Sequence, residues 1–546
     1  MWMGINNEVS TYENGKAYQT TMDDDLCTIF TLGCFNGEFY EDPQTAISKA
    51  DFILRQALQD CPEKATKYAV YAAETLRMKL MPTVWLVYLS TLTDKTLFKK
   101  AFPRIINGNI KLLHDFIEIC RNTSIRPGGH MKQRIKNNNR GLGSGLKKII
   151  NAYLYEIMND YNVTRYVSKL EDICRLTRIK DTEKSINYLQ YIFKPRNGQR
   201  RLTFDRAKYL NETLQILSLP QQNNNITEAQ LNVVIEHIHK YKIQMEEIKS
   251  TFGYLPNDIL RKIYEAFIPT LSYAALITNL NAIEKVYATS IRTIDKFFRG
   301  VRYEQEEVLE TDVPLNIIDI VAQKIQDINA YKRSGLFFMR LYAAAKMIKT
   351  SKWIEALDKV FMLAAKEAFS DISDNIRVRV SADTSGSMDT KITNSISARD
   401  IATYFTAACA LSIPHTKAYA TATITKEVPL ATNNIKICAE TIAKTNVGYG
   451  TEFETLLKGY RGENIVLIIT DVQQSDNTEK MWKKLHKPKD AKFIVWDVVG
   501  YIGRNRISLD PSIFYLRGYS DRNISLISNL ILGKAGQTDV IDTVTL

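Results

Sequence analysis

Oxygen-bearing side chains occur in this sequence at a spacing that could hold a hard cation. The stretch Asp383-Thr384-Ser385-Gly386-Ser387 alternates a carboxylate with two hydroxyls, and its glycine lets the backbone turn closely around an ion. Thr451 and Asp471 would supply two further oxygen donors from later loops. The pattern predicts a site for Mg²⁺ or another divalent cation whose protein ligands are Asp383, Ser385, Ser387, Thr451 and Asp471.

Two other interpretations of these residues stay open. An aspartate followed by serines is also a common way to cap the start of a helix. Asp383 and Asp471 could alternatively form a two-carboxylate nuclease site, but ligation rich in hydroxyls around one cation argues against that. No nucleophile with an attendant base is apparent, so we expect no catalytic residues and a protein that is not an enzyme.

A second group of residues suits the binding of a polyanion. The sequence between Glu118 and Glu156 contains no acidic residue, and a segment with charges of one sign attracts phosphates. Interleaved asparagines and glycines would allow close approach to a sugar-phosphate backbone, although a solvated basic loop would look the same. The candidate RNA contacts in this segment are Lys132, Arg134, Lys136, Arg140, Lys147 and Lys148.

Four more cations follow this segment and would extend its basic surface. If their segments are helical, Arg165 and Lys169 stand one turn apart on one face, and Arg175 and Arg178 do so on theirs. The formal net charge of +12 also favours a polyanionic partner. Nearby aromatic residues could stack on unpaired bases or could belong to the core: Tyr153, Tyr155, Tyr161 and Tyr166.

The elements that must position these two groups differ along the chain. From about Asp51 to Ala365 apolar residues recur at helical spacing, in short stretches separated by turn residues, which predicts an α-solenoid or bundle. After Asp374 short β-branched runs alternate with helical stretches, which predicts an α/β module with a largely parallel sheet. The predicted strands are Arg377 to Ser381, Ala418 to Thr425, Asn464 to Thr470 and Lys492 to Val499.

The length and composition exclude several classes of protein. A chain of 546 residues is too long for one core, so we expect two domains, residues 1–372 and 373–546. No apolar run is long enough to cross a bilayer and the N-terminus lacks the features of a secretory signal, which predicts a cytoplasmic protein without a membrane partner. Seven cysteines without a CxxC pair predict reduced thiols, neither a disulfide framework nor a zinc site.

Several segments, in chain order, resemble the Ro autoantigen (TROVE-domain) family. These are Leu32-Gly33-Cys34-Phe35-Asn36-Gly37-Glu38-Phe39-Tyr40, Gly143-Ser144-Gly145-Leu146-Lys147-Lys148-Ile149, Val163-Thr164-Arg165-Tyr166, Cys174-Arg175-Leu176-Thr177-Arg178 and Leu276-Ile277-Thr278-Asn279-Leu280. Carried over by position, the resemblance implies that Arg165, Lys169 and Arg178 contact a structured noncoding RNA. Two departures are Arg178, where that family has histidine, and the lack of its glycine-tryptophan insert.

The C-terminal module resembles the von Willebrand factor A domain, because all five positions of its metal-ion-dependent adhesion site are matched. In such domains an acidic group of a protein partner completes the coordination of the metal. Together with the Ro resemblance this implies a multidomain, divergent protein of bacterial or phage origin. Its expected fold is an α-solenoid of HEAT-like repeats closed into a ring, followed by an α/β Rossmann-like von Willebrand factor A domain.

The function that this resemblance implies is that of an RNA-binding scaffold in a ribonucleoprotein. Small structured Y-like RNA would bind the basic outer surface, and the ring would take single-stranded 3′ ends of misfolded RNA, for RNA quality control or processing. An exoribonuclease is a further expected partner. The alternative from another class is a structural or assembly protein, for example of a virion, that uses the metal site to bind a protein partner.

Overall fold

A computed structural model describes residues 8–12, 14–32, 43–124, 132–133, 142–183, 185–195, 198, 200–298, 301–311, 313–336, 338–393, 396–501, 506–520, 522–534 and 536–546. Helices dominate these residues as far as Ala368, and an α/β module follows from Val378. The predicted order of a helical region and then an α/β module is confirmed. The exact domain boundary near residue 372 stays a prediction.

The helical region consists of many short helices joined by tight connections. They are α1 (Met22–Leu32), α2 (Pro43–Asp60), α3 (Pro62–Glu74), α4 (Leu80–Leu89), α5 (Thr96–Ile106), α6 (Ile110–Asn122), α7 (Ser144–Ile157), α8 (Asp160–Arg165), α9 (Val167–Thr177), α10 (Ile186–Ile192), α11 (Asp205–Leu217), α12 (Glu228–Lys240), α13 (Met245–Ile248), α14 (Asn257–Phe267), α15 (Tyr273–Val286), α16 (Leu315–Ile325), α17 (Ile328–Ser334), α18 (Phe338–Met347) and α19 (Ser351–Ala368).

Sequence periodicity explains why these helices pack as they do. In α5, Phe98 and Phe102 lie one turn apart on the apolar face, and both rings contact Phe116 of α6 at centroid distances of 5.9 and 5.6 Å. The helix ends at Asn107, whose left-handed backbone, with φ of 45°, closes the last turn. Short helices with one apolar face therefore bury that face against their neighbours, as the sequence predicts.

Short strands also occur in the helical region, and the sequence patterns did not predict them. These are β1 (Glu8–Ser10), β2 (Lys16–Tyr18), β3 (Thr123–Ser124), β4 (Lys132–Gln133), β5 (Ala288–Phe298) and β6 (Val301–Thr311). The last two form a long antiparallel hairpin between α15 and α16. Strand β5 contains Thr289, Ile291, Thr293 and Ile294, and such β-branched residues favour extended backbone.

The apolar stretch from Ala343 to Phe361 forms two helices with a break between Met347 and Ser351. The carboxylate of Glu284, fully buried on α15, accepts hydrogen bonds at the break from the backbone N–H groups of Lys349 and Thr350, at 3.0 and 2.6 Å. The Thr350 hydroxyl donates to the same carboxylate at 2.5 Å. A side chain distant in sequence thus satisfies the N–H groups that a continuous helix would have used.

The α/β module is a six-stranded sheet with helices. Its strands are β7 (Val378–Asp383), β10 (Thr416–Thr421), β11 (Thr425–Glu427), β12 (Ile465–Thr470), β13 (Lys492–Asp497) and β14 (Ile513–Arg517), and a separate small pair is β8 (Lys391–Thr393) and β9 (Ile396–Ser397). Its helices are α20 (Ala398–Ser412), α21 (Ile435–Lys444), α22 (Glu454–Lys458), α23 (Thr478–Lys484), α24 (Arg522–Ile531) and α25 (Gln537–Asp542).

The order of the strands is that of a doubly wound sheet. It runs β11-β10-β7-β12-β13-β14, and all neighbours pair in parallel except the edge strand β11. The chain therefore builds outwards from β7 in one direction and then restarts beside it with β12, which makes the β7/β12 boundary the topological switch point. A largely parallel α/β sheet is confirmed, while β11 and β14 were not predicted.

Both ends of the helical region contact the α/β module. At the N-terminal end the backbone N–H of Gly15 donates to the Gln474 carbonyl at 3.0 Å, and Asp24 of α1 pairs with Arg517 and Arg506 at 2.9 and 3.0 Å. The two guanidinium groups outweigh burial and lower the pKa of Asp24 to about 2. At the other end α19 packs against α20 and α24.

Among the described helices none is long and apolar enough to span a bilayer.

The cysteines in the described part of the chain are free thiols. None of these six forms a disulfide, as expected for reduced thiols: Cys27, Cys61, Cys120, Cys174, Cys409 and Cys438. Cys34 and the rest of the Gly33 to Tyr40 resemblance lie outside the described residues.

The contacts of Glu284 predict a large loss of stability when its carboxylate is removed. Substituting Glu284→Ala leaves buried N–H groups at the α18–α19 break without an acceptor, so the free energy of unfolding should fall by about 2–4 kcal/mol. Urea denaturation followed by circular dichroism measures this change. The matched control is Glu355→Ala, which removes an exposed carboxylate from α19. Equal stability of the two variants would contradict the assigned role.

Candidate cation site and basic surface

Two of the candidate cation ligands, Asp383 and Asp471, lie at the topological switch point. Asp383 is the last residue of β7, and Asp471 directly follows β12. The parallel register sets Ala382 opposite Ile469, so the next residues of the two strands, Asp383 and Thr470, also lie side by side. The Thr470 hydroxyl donates to Asp383 Oδ2 at 2.6 Å, a contact that the sequence alone did not predict. Parallel pairing therefore brings together two carboxylates that are far apart in sequence.

The loop after β7 arranges its hydroxyls beside the Asp383 carboxylate. The backbone N–H of Ser385 donates to Asp383 Oδ1 at 2.9 Å, and the hydroxyl oxygens of Ser385 and Ser387 are 3.3 Å apart. Arg399 of α20, also missed from sequence, donates to the Ser385 carbonyl at 3.0 Å. Asp383, Ser385 and Ser387 are all buried, so their side-chain oxygens are shielded from bulk water.

A third loop, containing Thr451, packs against the first. The Tyr449 carbonyl accepts a hydrogen bond from the Gly386 N–H at 3.0 Å, which fixes this loop to the turn at Gly386. Gly448 has a φ of +89°, and a Cβ there would lie 2.6 Å from the Thr423 hydroxyl, so the position needs glycine. Thr451 is buried and its carbonyl accepts from Ser475, in the loop after β12. The three predicted loops therefore interlock.

The electrostatics of the site leave one carboxylate oxygen without a partner. Asp471 is fully buried; its Oδ1 accepts the Gln473 N–H at 3.2 Å, whereas its Oδ2 accepts no hydrogen bond. Burial and the neighbouring Asp383 raise the pKa of Asp471 well above its usual value, and burial also raises the pKa of Asp383. Two buried carboxylates with an unsatisfied oxygen form a site that favours added positive charge.

The types of donor at this site fit a hard divalent cation. Carboxylate and hydroxyl oxygens are ligands that Mg²⁺ accepts. Among the described residues no three His, Cys, Asp or Glu side chains are grouped to hold a metal, so a cation here would depend on the hydroxyls of Ser385, Ser387 and Thr451. The unsatisfied Asp471 Oδ2 is the structural observation that supports the fit.

The basic candidates Arg165 and Lys169 are partly engaged within the protein. Arg165 ends α8 between the rings of Tyr161 and Tyr166, at 5.5 and 5.3 Å from their centroids, and lies 3.8 Å from Glu246. The Nζ of Lys169, in α9, lies 3.5 Å from His114 Nδ1 of α6. These contacts hold the two cations in place and use part of their capacity to bind a phosphate.

Arg175 and Arg178, at the end of α9, differ in their surroundings. Arg175 pairs with Glu171 at 2.7 Å, and the same carboxylate also binds Arg200 at 3.0 Å. Arg178 is exposed and ends α9 in the left-handed conformation, with φ of 54°. No described carboxylate lies within ion-pair distance of Arg178, so its charge faces solvent uncompensated.

Helix α7, which carries two more candidates, contacts the end of α9 next to Arg178. The Asn151 side chain donates to the carbonyl of Thr177 at 3.3 Å, and Lys147 lies one turn before Asn151 on the same helical face. Lys148 is exposed, and neither lysine forms an ion pair with any described residue. Lys132 pairs through its backbone in β4. Its side chain and the residues Arg134, Lys136 and Arg140 lie outside the description.

The four candidate stacking tyrosines have mostly structural contacts. Tyr153 is buried against Phe102 at 5.2 Å, and Tyr155 donates to the Lys180 carbonyl at 2.7 Å. Tyr161 and Tyr166 are half-buried beside Arg165. Core packing therefore explains the position of the Tyr153 side chain, and contacts within the protein explain the positions of the other three tyrosine rings.

Comparison with known proteins adds a fold assignment. No family model matches the sequence, and no curated protein matches it either. The structure is similar to the crystal structure of the Deinococcus radiodurans RO (RSR) protein, with a TM-score of 0.59 and 14% identity over 94% of this chain and 100% of that chain. The chain has a RO-like fold.

This RO-like fold confirms the resemblance to the Ro family that the sequence segments indicate. Because the similarity covers 94% of the chain, it includes both the helical region and the α/β module. A similarity at 14% identity shows the fold alone.

The raised pKa of Asp471 predicts how stability depends on pH. A carboxyl whose pKa is higher in the folded state than in the unfolded chain stabilises the fold at pH values below the unfolded pKa, about 3.9. This contribution is lost as the pH rises through the pKa of the folded state. With a chelator present, Asp471→Asn should therefore be more stable than the wild type at neutral pH, and the difference should shrink towards pH ~4. Urea denaturation across pH measures it, with exposed Asp490→Asn as control. A pH-independent difference would contradict the prediction.

Proposed function

We propose that this protein is an RNA-binding scaffold of a ribonucleoprotein, in which the chain binds RNA and does not cleave it. The observation that carries the proposal is a set of three cations without an ionic partner among the described residues: Lys147 and Lys148 on α7, and Arg178 at the end of α9, which packs against α7; we call them the cation cluster. This cluster adjoins the basic segment between Glu118 and Glu156, whose charges have one sign. Such a surface binds phosphates independently of base sequence, which suits RNA recognised by its shape.

The proposal can be made more specific about the kind of RNA that binds and about the shape of the helical region. We infer that the basic surface takes a small structured, Y-like RNA and that the helical repeats close into a ring for single-stranded 3′ ends. Support for closure comes from the contacts of both α1 and α19 with the α/β module. An exoribonuclease partner would supply the cleavage in RNA quality control or processing.

We also propose that the switch-point site holds Mg²⁺ or another divalent cation, in the manner of a metal-ion-dependent adhesion site. Asp383, Ser385, Ser387, Thr451 and Asp471 would hold it, and the cation would supply an open coordination position for an acidic group of a protein partner. Tyr449, beside this site, is 84% exposed on a backbone fixed to Gly386, a favourable arrangement for a protein contact. A protein that used this site alone would be the structural or assembly alternative.

The RNA proposal predicts a strong salt dependence. Roughly four phosphate contacts would weaken the binding of a structured RNA roughly a hundredfold between about 50 and 200 mM salt. Replacing Lys147, Lys148 and Arg178 with alanine should lower the slope of log affinity against log salt by about two to three. Filter binding measures both quantities.

The matched control for this experiment removes three lysines from α19, in Lys352→Ala, Lys359→Ala and Lys366→Ala. It changes the net charge equally while leaving the proposed RNA surface intact. Equal loss of affinity in the two triple variants would indicate a general charge effect, and no RNA binding by the wild type would favour the protein-binding alternative.

The cation proposal predicts stabilisation by Mg²⁺. Because a ligand that binds the folded state raises the unfolding midpoint, Mg²⁺ at about 100 times its dissociation constant should add about 2.7 kcal/mol to the stability. Ser385→Ala and Asp383→Asn should reduce this gain, and Asp490→Asn should retain it. Differential scanning fluorimetry with Mg²⁺ or chelator tests the prediction, and an unchanged gain in Asp383→Asn would refute it.

A further inference from the structure

A cavity of about 340 Å³ lies where three separate parts of the chain meet. Arg77 reaches it from the connection between α3 and α4, Lys332 and Leu336 from the end of α17, Ala364 and Glu367 from α19, and Arg522 from the start of α24. The cavity is therefore bounded by the first helices, the last helices and the α/β module. Neither proposed site, for the cation or for RNA, uses any of these residues.

The charges that line this cavity favour an anion. Three cationic side chains, Arg77, Lys332 and Arg522, line it together with the carboxylate of Glu367. Glu367 is already bound to Lys332, with Nζ and Oε2 2.5 Å apart. No ion pair joins Arg77 or Arg522 to any residue that the structure describes. Two guanidinium groups thus remain available to bind a phosphate.

The backbone at the cavity supports the same ligand chemistry. Ser525, in the first turn of the ten-residue helix α24, lines the cavity, which places the positive end of that helix beside it. Arg77 has a φ of 58°, a conformation rare for residues other than glycine and asparagine. Its side chain crosses Gly335, where a Cβ would lie 3.1 Å from Arg77 Nε. The fold therefore holds the Arg77 guanidinium over a position that lacks a side chain.

Part of the wall of the cavity is apolar. Leu336, Ala364 and Ala368 are half-buried there and offer no charge or hydrogen-bonding side chain. A volume of about 340 Å³ is at the lower end of the range for small-molecule sites, roughly 300–1,000 Å³, and suits one compact organic molecule. The complementary ligand has a phosphate at one end and a less polar body at the other.

We propose that this junction cavity binds a small organic phosphate monoester of nucleotide size. Arg77 and Arg522 bind the phosphate, and the apolar wall contacts the body of the molecule. Because these residues come from the start and the end of the helical region and from the α/β module, the bound ligand links all three. Binding therefore raises the stability of the assembled chain.

Isothermal titration calorimetry on the full chain tests the proposal with AMP, GMP, CMP and UMP as probes. At least one should bind saturably with one site per chain, and it should raise the unfolding midpoint. Adenosine should not bind, and inorganic phosphate should bind more weakly than the nucleotide. Failure of all the nucleotides to bind overturns the proposal, as does binding of inorganic phosphate as tight as that of the nucleotide.

Variants then test whether binding occurs in this cavity. The double substitution Arg77→Ala and Arg522→Ala should weaken nucleotide binding at least about tenfold, because it removes two charge-assisted contacts. Ala364→Leu, which fills the cavity and keeps both arginines, should also weaken binding. The matched control is Arg333→Ala, an exposed arginine on α17 that does not line the cavity, and it should bind normally. Wild-type affinity in both the double variant and Ala364→Leu overturns the proposal.

Two further measurements separate this proposal from the proposed RNA surface. The variant lacking Lys147, Lys148 and Arg178 should bind the nucleotide with the affinity of the wild type. The nucleotide proposal and the RNA proposal can therefore be contradicted independently. A single-stranded RNA should not be required for nucleotide binding. If RNA binds in the cavity and free nucleotides do not displace it, the cavity is part of an RNA path and the small-molecule proposal is wrong.

Discussion

The parallel pairing of β7 with β12 is the constraint on which the candidate cation site depends. It sets Asp383 and Thr470 side by side, with Asp471 next along the chain, at the edge where the sheet changes its direction of growth. Both carboxylates are fully buried there; burial raises the pKa of each, and the neighbouring Asp383 raises the pKa of Asp471 further. The surrounding loops supply hydroxyls, and the site can hold positive charge where water is excluded.

The same module also joins the two ends of the helical region. Asp24 of α1 inserts between Arg506 and Arg517, and α19 packs on α20 and α24 from the other side. At the Asp24 contact, ionic attraction outweighs the cost of burial, as the low pKa of Asp24 indicates. The junction is therefore held by specific charge pairs as well as by apolar packing, and the cavity with Arg77 and Arg522 lies between these parts.

The basic residues differ in whether their side chains have a partner within the protein, and their sequence positions do not predict this difference. Arg165 and Arg175 lie in basic sequence segments, yet each contacts aromatic rings or a carboxylate of its own chain. Arg178 and Lys148 remain exposed without an ionic partner among the described residues. Periodicity along one helix identifies residues that share a face, but it does not show which neighbouring helix supplies a compensating charge.

By itself the sequence determined the succession of a helical region and an α/β module, because apolar periodicity and β-branched runs are local signals. It also identified the loop from Asp383 to Ser387, whose spacing and position after a strand are local as well. Only the tertiary structure decided that Thr470 holds Asp383, that Glu284 breaks the last helical stretch, and that Arg77 and Arg522 line one cavity. Each of these arrangements brings together residues distant in the chain, and it depends on packing that no local pattern specifies.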